Sequence, residues 1–173
     1  VPASAVTRHQ AIIDGKTVKY TATVGWFILK DPKDNPIARF GYTAYTLDGV
    51  KDLAQRPVTF VFNGGPGSSS IWLHMGIMGP RRVVVNDGGY APPPPSQVVD
   101  NPFSPLDVTD IVMIDPVGTG FSKPLGDAKP ADFHGVDEDI RSVAQFIKRF
   151  VSENGRWGSP KYVLGESYGG MRG

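Results

Sequence analysis

An α/β fold, with a mostly parallel central sheet and a leading antiparallel hairpin, is predicted by three features of this 173-residue sequence. Short uninterrupted apolar runs at Val58 to Phe62, Ile111 to Ile114 and Tyr162 to Leu164 each stop at or just before glycine-rich turns. One strongly amphipathic helix lies between the last two runs, and two longer stretches rich in Thr, Val and aromatic residues come first. Continuous apolar strands belong to sheets covered on both faces, which is the habit of parallel strands, and a strand, helix, strand sequence of this length is a right-handed crossover unit.

Taken in order, residues 1–15 read as an arm and residues 16–56 as antiparallel strands. Lys16 to Lys30 (KTVKYTATVGWFILK) and Pro36 to Leu47 (PIARFGYTAYTL) alternate in part, and Asp31 to Asn35 (DPKDN) supplies turn chemistry between them. Residues 57–173 read as the core of one domain. Its helix is expected over Val136 to Asn154, with Ile140, Val143, Ala144, Ile147, Phe150 and Val151 on one face. Asp137, Glu138 and Asp139 suit its N-terminal dipole, and Gly155 can cap its end. The tract Asp87 to Pro95 (DGGYAPPPP) cannot join a sheet interior and is expected as a surface loop with a polyproline stretch.

Composition removes several function classes. Lys plus Arg number 18 and Asp plus Glu 17, a formal charge of +1, so the basic footprint that nucleic acid or an anionic membrane demands is missing. No apolar run approaches the ~18 residues of a membrane-crossing helix. There is no cysteine, hence no disulfide, thiolate nucleophile or Cys-ligated zinc, and the three histidines have no metal-ligand spacing. No cofactor or metal is expected. The chain opens at Val1 without a basic and apolar leader, which is compatible with a removed signal peptide.

The chemistry concentrates in two glycine-rich turns. Gly165-Glu166-Ser167-Tyr168-Gly169 fits G-x-S-x-G and follows an apolar strand, as a nucleophile elbow requires; a simple Gly-rich turn is the competing reading. The turn is so sharp that side chains two residues either side of the serine would collide, and Gly170 is expected to permit close helix packing. A serine nucleophile generates an oxyanion that needs fixed donors. Tyr168 N–H supplies one, and Asn63-Gly64-Gly65-Pro66-Gly67, at the end of a neighbouring strand, is placed to supply the other. A phosphate cradle would need the Lys of G-x-x-x-x-G-K-[ST], and three serines follow Gly67 instead.

Four blocks in order carry a resemblance: Phe60 to Ser70 (FVFNGGPGSSS), Asn101-Pro102-Phe103-Ser104, Asp115 to Ser122 (DPVGTGFS) and Gly165 to Gly170 (GESYGG). Together they resemble the signature blocks of the serine carboxypeptidases of the α/β-hydrolase superfamily. The resemblance implies an α/β-hydrolase fold and removal of C-terminal residues from peptides through an acyl-enzyme on Ser167. It implies an oxyanion hole from the amides of Gly65 and Tyr168, and capture of the substrate's free carboxylate by Asn63, Glu166 and the Gly64 amide. It also implies an exported, periplasmic or secreted, enzyme. Ionised, Glu166 would repel that carboxylate; protonated, it can donate to it, so activity is expected to favour acidic pH.

Two departures accompany the resemblance. Ser68 stands where the family commonly has Cys, and Gly76-Ile77-Met78-Gly79 offers no second acid to hold against Glu166. The triad order in this superfamily is Ser, then Asp or Glu, then His, yet His9, His74 and His134 all precede Ser167. His74 and Asp115 read as packing and loop-anchoring residues rather than base and acid. The fold is therefore expected to be incomplete at the C-terminus, with Asp and His beyond Gly173 or on a second chain, and the fragment alone inactive. Transfer to an alcohol or ester hydrolysis on the same fold, and a non-catalytic module that keeps the elbow as architecture, are the alternatives.

Overall fold

The computed structural model describes residues 4–86 and 92–173. Its strands, in chain order, are β1 (Ser4–Ile13), β2 (Lys16–Lys30), β3 (Pro36–Leu47), β4 (Val58–Phe62), β5 (Arg81–Val83), β6 (Val98–Asp100), β7 (Asp110–Ile114), β8 (Lys123–Pro124) and β9 (Lys161–Gly165). The helices are α1 (Ile71–Leu73), continued by a wide turn over His74–Met78, then α2 (Val136–Glu153) and α3 (Gly169–Arg172). The sheet runs β1-β2-β3-β7-β4-β9, with β8 beside β3, while β5 and β6 form a separate ribbon. Pairings from β1 to β7 are antiparallel, and those of β4 with β7 and β9 are parallel.

The hairpin falls where turn chemistry places it. Asp31 Oδ1 accepts from the amides of Lys33 and Asn35, closing the loop between β2 and β3. The stretch read as an arm carries β1, which pairs with β2 along its whole length, from Ser4 opposite Gly25 to Ile13 opposite Lys16. The crossover is wider than adjacent apolar runs suggest. The chain leaves β7, passes through α2 and enters β9, and β4 lies between the two.

β4 and β7 are buried at every position, as a doubly covered strand should be. One face packs Phe27, Phe40, Phe60 and Phe62 against Val143, Phe146 and Phe150 of α2; the other packs Tyr20, Val61, Leu73, Ile111 and Met113. α2 presents a stripe rotated from the expected one. Phe146, stacked on Phe40 with centroids 4.7 Å apart, is fully buried, whereas Ala144 is exposed. An aromatic ring contributes more buried area than a methyl, and the Phe27, Phe40 and Tyr42 rings draw the helix round to receive it. Gly155, at φ +64°, ends the helix as expected. β9 is one edge of the sheet among the described residues and β1 the other, and Tyr162 and Val163 of β9 are exposed. No helix is long and apolar enough to cross a membrane among the described residues. Residues 87–91 of the Gly- and Pro-rich tract lie outside the description; Pro93, Pro94 and Pro95 are exposed.

At the N-terminal ends of the parallel strands a buried carboxylate holds the layers in place. Asp110 accepts from Arg56 Nε at 3.1 Å, Arg156 Nη1 at 2.6 Å and the Leu47 amide at 2.9 Å. Further guanidinium hydrogens go to the carbonyls of Leu106, Asp107, Arg56 and Pro57 and to Ser159 Oγ, so every buried charge there has a partner. Removing the carboxylate leaves two desolvated cations facing each other. Asp110→Ala is therefore expected to destabilise the fold by about 3–5 kcal/mol, read as a lower midpoint in urea denaturation. Asp52→Ala, which removes an exposed cap, is expected to cost about 1 kcal/mol or less.

Candidate active site

The two glycine-rich turns leave neighbouring parallel strands, β4 and β9, at the same end of the sheet. Register brings Phe62 opposite Gly165, and the Glu166 amide donates back to the Phe62 carbonyl at 3.3 Å. The turn after β9 is as tight as its pattern requires. Ser167 sits at φ +56°, a left-handed conformation that an L residue holds only when its surroundings impose it, and its side chain is exposed. The Gly169 amide bonds the Glu166 carbonyl at 2.8 Å and the Gly170 amide bonds the Ser167 carbonyl at 2.9 Å, starting α3 directly behind the serine.

Contact between the turns is backbone to backbone. A Cβ added to Gly64 would lie 2.5 Å from the Tyr168 nitrogen and 2.6 Å from the Glu166 carbonyl oxygen, so only glycine fits. Gly165 is equally closed, since a Cβ there would overlap the Gly169 carbonyl, and one on Gly169 would lie 3.0 Å from the Phe62 oxygen. Gly170 departs from expectation. Nothing lies within 4 Å of a Cβ at that position, and Gly169 is the residue that α3 needs for close approach. Among the described residues the amides of Gly64, Gly65 and Tyr168 have no hydrogen-bond acceptor.

Asn63 joins the surrounding parts. It is buried; its Oδ1 accepts from the Leu73 amide at 3.1 Å, its Nδ2 donates to Glu166 Oε2 at 3.3 Å, and its carbonyl accepts from Arg172 Nη1 at 2.8 Å. Glu166 itself is exposed. The expected site residues Asn63, Gly64, Gly65, Glu166, Ser167 and Tyr168 are thus brought together at one end of the sheet.

Asp115 anchors loops rather than facing the serine. Its Oδ1 accepts from the Ser70 amide and hydroxyl at 2.9 and 2.8 Å, and its Oδ2 accepts from the Phe121 amide at 3.1 Å. No histidine hydrogen-bonds Ser167 among the described residues. His9 pairs with Thr7 on β1, His134 lines a cavity of about 140 Å³ with Pro66 and Gly118, and His74 shares a 2.5 Å hydrogen bond with the Tyr45 hydroxyl. Burial depresses the pKa of His74, with Asp115 pulling weakly the other way, and burial pushes Tyr45 up to about 12.

Two residues escaped the sequence reading. Asp139, expected to serve the dipole of α2, turns inward and pairs with Arg172, at 2.9 Å to Nε and 2.7 Å to Nη2, both side chains buried. The guanidinium also lies over the rings of Phe62 and Tyr168, 5.1 and 5.4 Å from their centroids. A signal was present: Asp139, Val143, Phe146 and Phe150 share one helical stripe, and an acid on a buried stripe demands a cation.

A left-handed serine at a strand-to-helix turn, packed against the glycine-rich loop that follows the adjacent parallel strand, is the arrangement of an α/β-hydrolase. A crystal structure of KEX1, a prohormone-processing carboxypeptidase from Saccharomyces cerevisiae, superposes with a TM-score of 0.68 at 24% identity, over 86% of this chain and 31% of that one, and supports the fold. The family model described as serine carboxypeptidase matches residues 42–172, and the chain belongs to that family. Similar proteins include serine carboxypeptidase-like 36 of Arabidopsis thaliana, 30% identical over 79% of this chain, and serine-type carboxypeptidase F of Aspergillus niger, 36% identical over 65%. The chain spans 27% and 19% of those two proteins.

Two outcomes follow from this geometry. Gly64→Ala is expected to drive the loop, and the adjoining Gly65 amide with it, off the turn and cut fluorophosphonate labelling of Ser167 in the full-length protein by about 10²–10³-fold, as loss of an oxyanion donor does, whereas Gly170→Ala leaves labelling intact. For His74 the folded pKa lies below the unfolded one, so the unfolded chain takes the proton first and stability falls as pH drops from about 6.5 toward the folded value. In thermal melts His74→Gln is expected to flatten that acid slope; an unchanged slope would contradict the burial of a neutral imidazole.

Proposed function

We propose that the chain carries the nucleophile, oxyanion hole and carboxylate-recognition elements of a serine carboxypeptidase, within residues 57–173 of a single catalytic domain. The observation that carries the reading is the seating of Gly64 against the Ser167 turn, at a separation only a glycine permits. That close approach supports reading the Ser167 hydroxyl, the amides of Gly65 and Tyr168 and the Asn63–Glu166 pair as parts of one site.

In this reading Ser167 Oγ attacks the carbonyl of the last peptide bond and forms a C–O bond while the carbonyl electrons move onto oxygen. The amides of Gly65 and Tyr168 meet that oxyanion. Collapse breaks the C–N bond, the departing amine takes a proton, and water then hydrolyses the acyl-enzyme. Serine is a poor nucleophile without a base, and His9, His74 and His134 are engaged or placed elsewhere. The base and its orienting carboxylate are therefore assigned to an Asp and a His outside residues 1–173, in keeping with relatives several times longer.

The exopeptidase preference comes from Asn63, the Gly64 amide and Glu166. Asn63 is fixed by the Leu73 amide, so its Nδ2 is held toward the Glu166 carboxyl. A substrate carboxylate brought beside Glu166 is repelled unless a proton is shared between the two, and this selects acidic conditions. Peptides with a free C-terminus are the substrate class, and export is the setting that family membership favours.

In the full-length protein, release of the C-terminal residue is expected from a free peptide and not from its C-terminal amide, and Ser167→Ala abolishes it. kcat/KM for the free peptide is expected to fall as pH rises, and Glu166→Gln flattens that fall. Mass spectrometry of the products checks both; equal cleavage of the amide, or an alkaline limb unchanged by Glu166→Gln, would overturn the assignment of the recognition pair.

A further inference from the structure

The Asn63–Gly64 peptide is held from behind by a buried cation. Its carbonyl accepts from Arg172 Nη1 at 2.8 Å, and the bond is not among the cis peptides, so the unit is trans and planar. In such a unit C=O and N–H point in opposite directions. Whatever fixes the Asn63 carbonyl toward Arg172 therefore fixes the Gly64 N–H away from it, and that amide has no acceptor among the described residues. Rotation of this one plane would turn the amide away from the substrate without moving either strand.

Arg172 can serve as this stop because it is itself immobile. Its Nε donates to Asp139 Oδ2 on α2, its Nη2 lies 2.7 Å from the same oxygen, and its planar face is bracketed by Phe62, the last residue of β4, and Tyr168, the residue after Ser167. One guanidinium thus links the strand before the glycine-rich loop, the loop carbonyl, the elbow and the crossover helix. A lysine could match the charge; it could not hold Asp139 and the Asn63 carbonyl in one rigid plane.

We infer that Arg172 is a positioning residue for substrate-carboxylate capture, acting through the Asn63–Gly64 peptide plane and held in place by Asp139. This rests on the carboxypeptidase reading above. It also separates two functions that share one loop: the Gly64 amide, aimed by Arg172, serves the leaving residue's carboxylate, while the amides of Gly65 and Tyr168 serve the oxyanion.

The test compares an N-acyl dipeptide bearing a free carboxylate with the matching N-acyl amino-acid methyl ester, whose leaving group has none. Full-length wild type, Arg172→Lys and Asp139→Asn are assayed, with fluorophosphonate labelling of Ser167 reporting an intact site. Arg172→Lys is expected to raise KM for the dipeptide about tenfold, the loss of one well-aligned hydrogen bond to a charged group, with ester kcat/KM falling by less than about threefold. Asp139→Asn, which keeps the guanidinium and loosens its anchor, moves KM the same way by a smaller factor and decides the matter should Arg172→Lys lose labelling. Equal losses on both substrates reduce Arg172 to a structural brace, and an unchanged KM in both variants removes it from recognition; either result overturns the inference alone. A wild type that labels at Ser167 yet releases nothing from the dipeptide overturns the carboxypeptidase reading, and this inference with it.

Discussion

Everything at the working end of this molecule depends on two backbones lying closer together than any side chain allows. β4 and β9 are parallel neighbours, so the turns that follow them emerge side by side, and the Gly64 backbone rests on the peptide between Glu166 and Tyr168. Gly64 and Gly169 remove the side chains that would part them, and Gly165 lets the turn after β9 fold back onto its own helix. The exposed Ser167, the unpaired amides and the Asn63–Glu166 hydrogen bond follow from that one approach. Main-chain donors held in this way require no side-chain ordering to face a developing charge, since their dipoles are already fixed by the sheet.

Ionic clamps close the two ends of the sheet differently. At one end a single carboxylate, Asp110, gathers two arginines and an amide; at the other a single arginine, Arg172, gathers a carboxylate and a carbonyl. Buried ion pairs are poor sources of net stability because desolvation offsets their attraction. Their value here is directional. Each fixes the angle of several elements at once, which apolar packing, being non-directional, does poorly.

Much of this could be read from residue order. The turn at 31–35, the buried runs of β4 and β7, the extent of α2 and the elbow around Ser167 all rest on local rules: turn chemistry, apolar continuity, helical period and a motif in its required context. What stayed hidden is what local rules do not see. β4 lies between β7 and β9 because of pairing across distant segments. Residues 4–13 form a strand because β2 offers an edge, although their own pattern is weak. Phe146 displaces Ala144 from the helix interface because of rings on β2 and β3. Asp139 resembled a dipole residue until its tertiary partner, 33 positions along the chain, was known.

The edge strand has a practical implication for handling the polypeptide. β9 holds Tyr162 and Val163 in the open and offers one row of main-chain donors and acceptors beyond its pairing with β4. An uncovered row of this kind is a ready template for strand addition, and edge-to-edge association of copies is favoured as concentration rises.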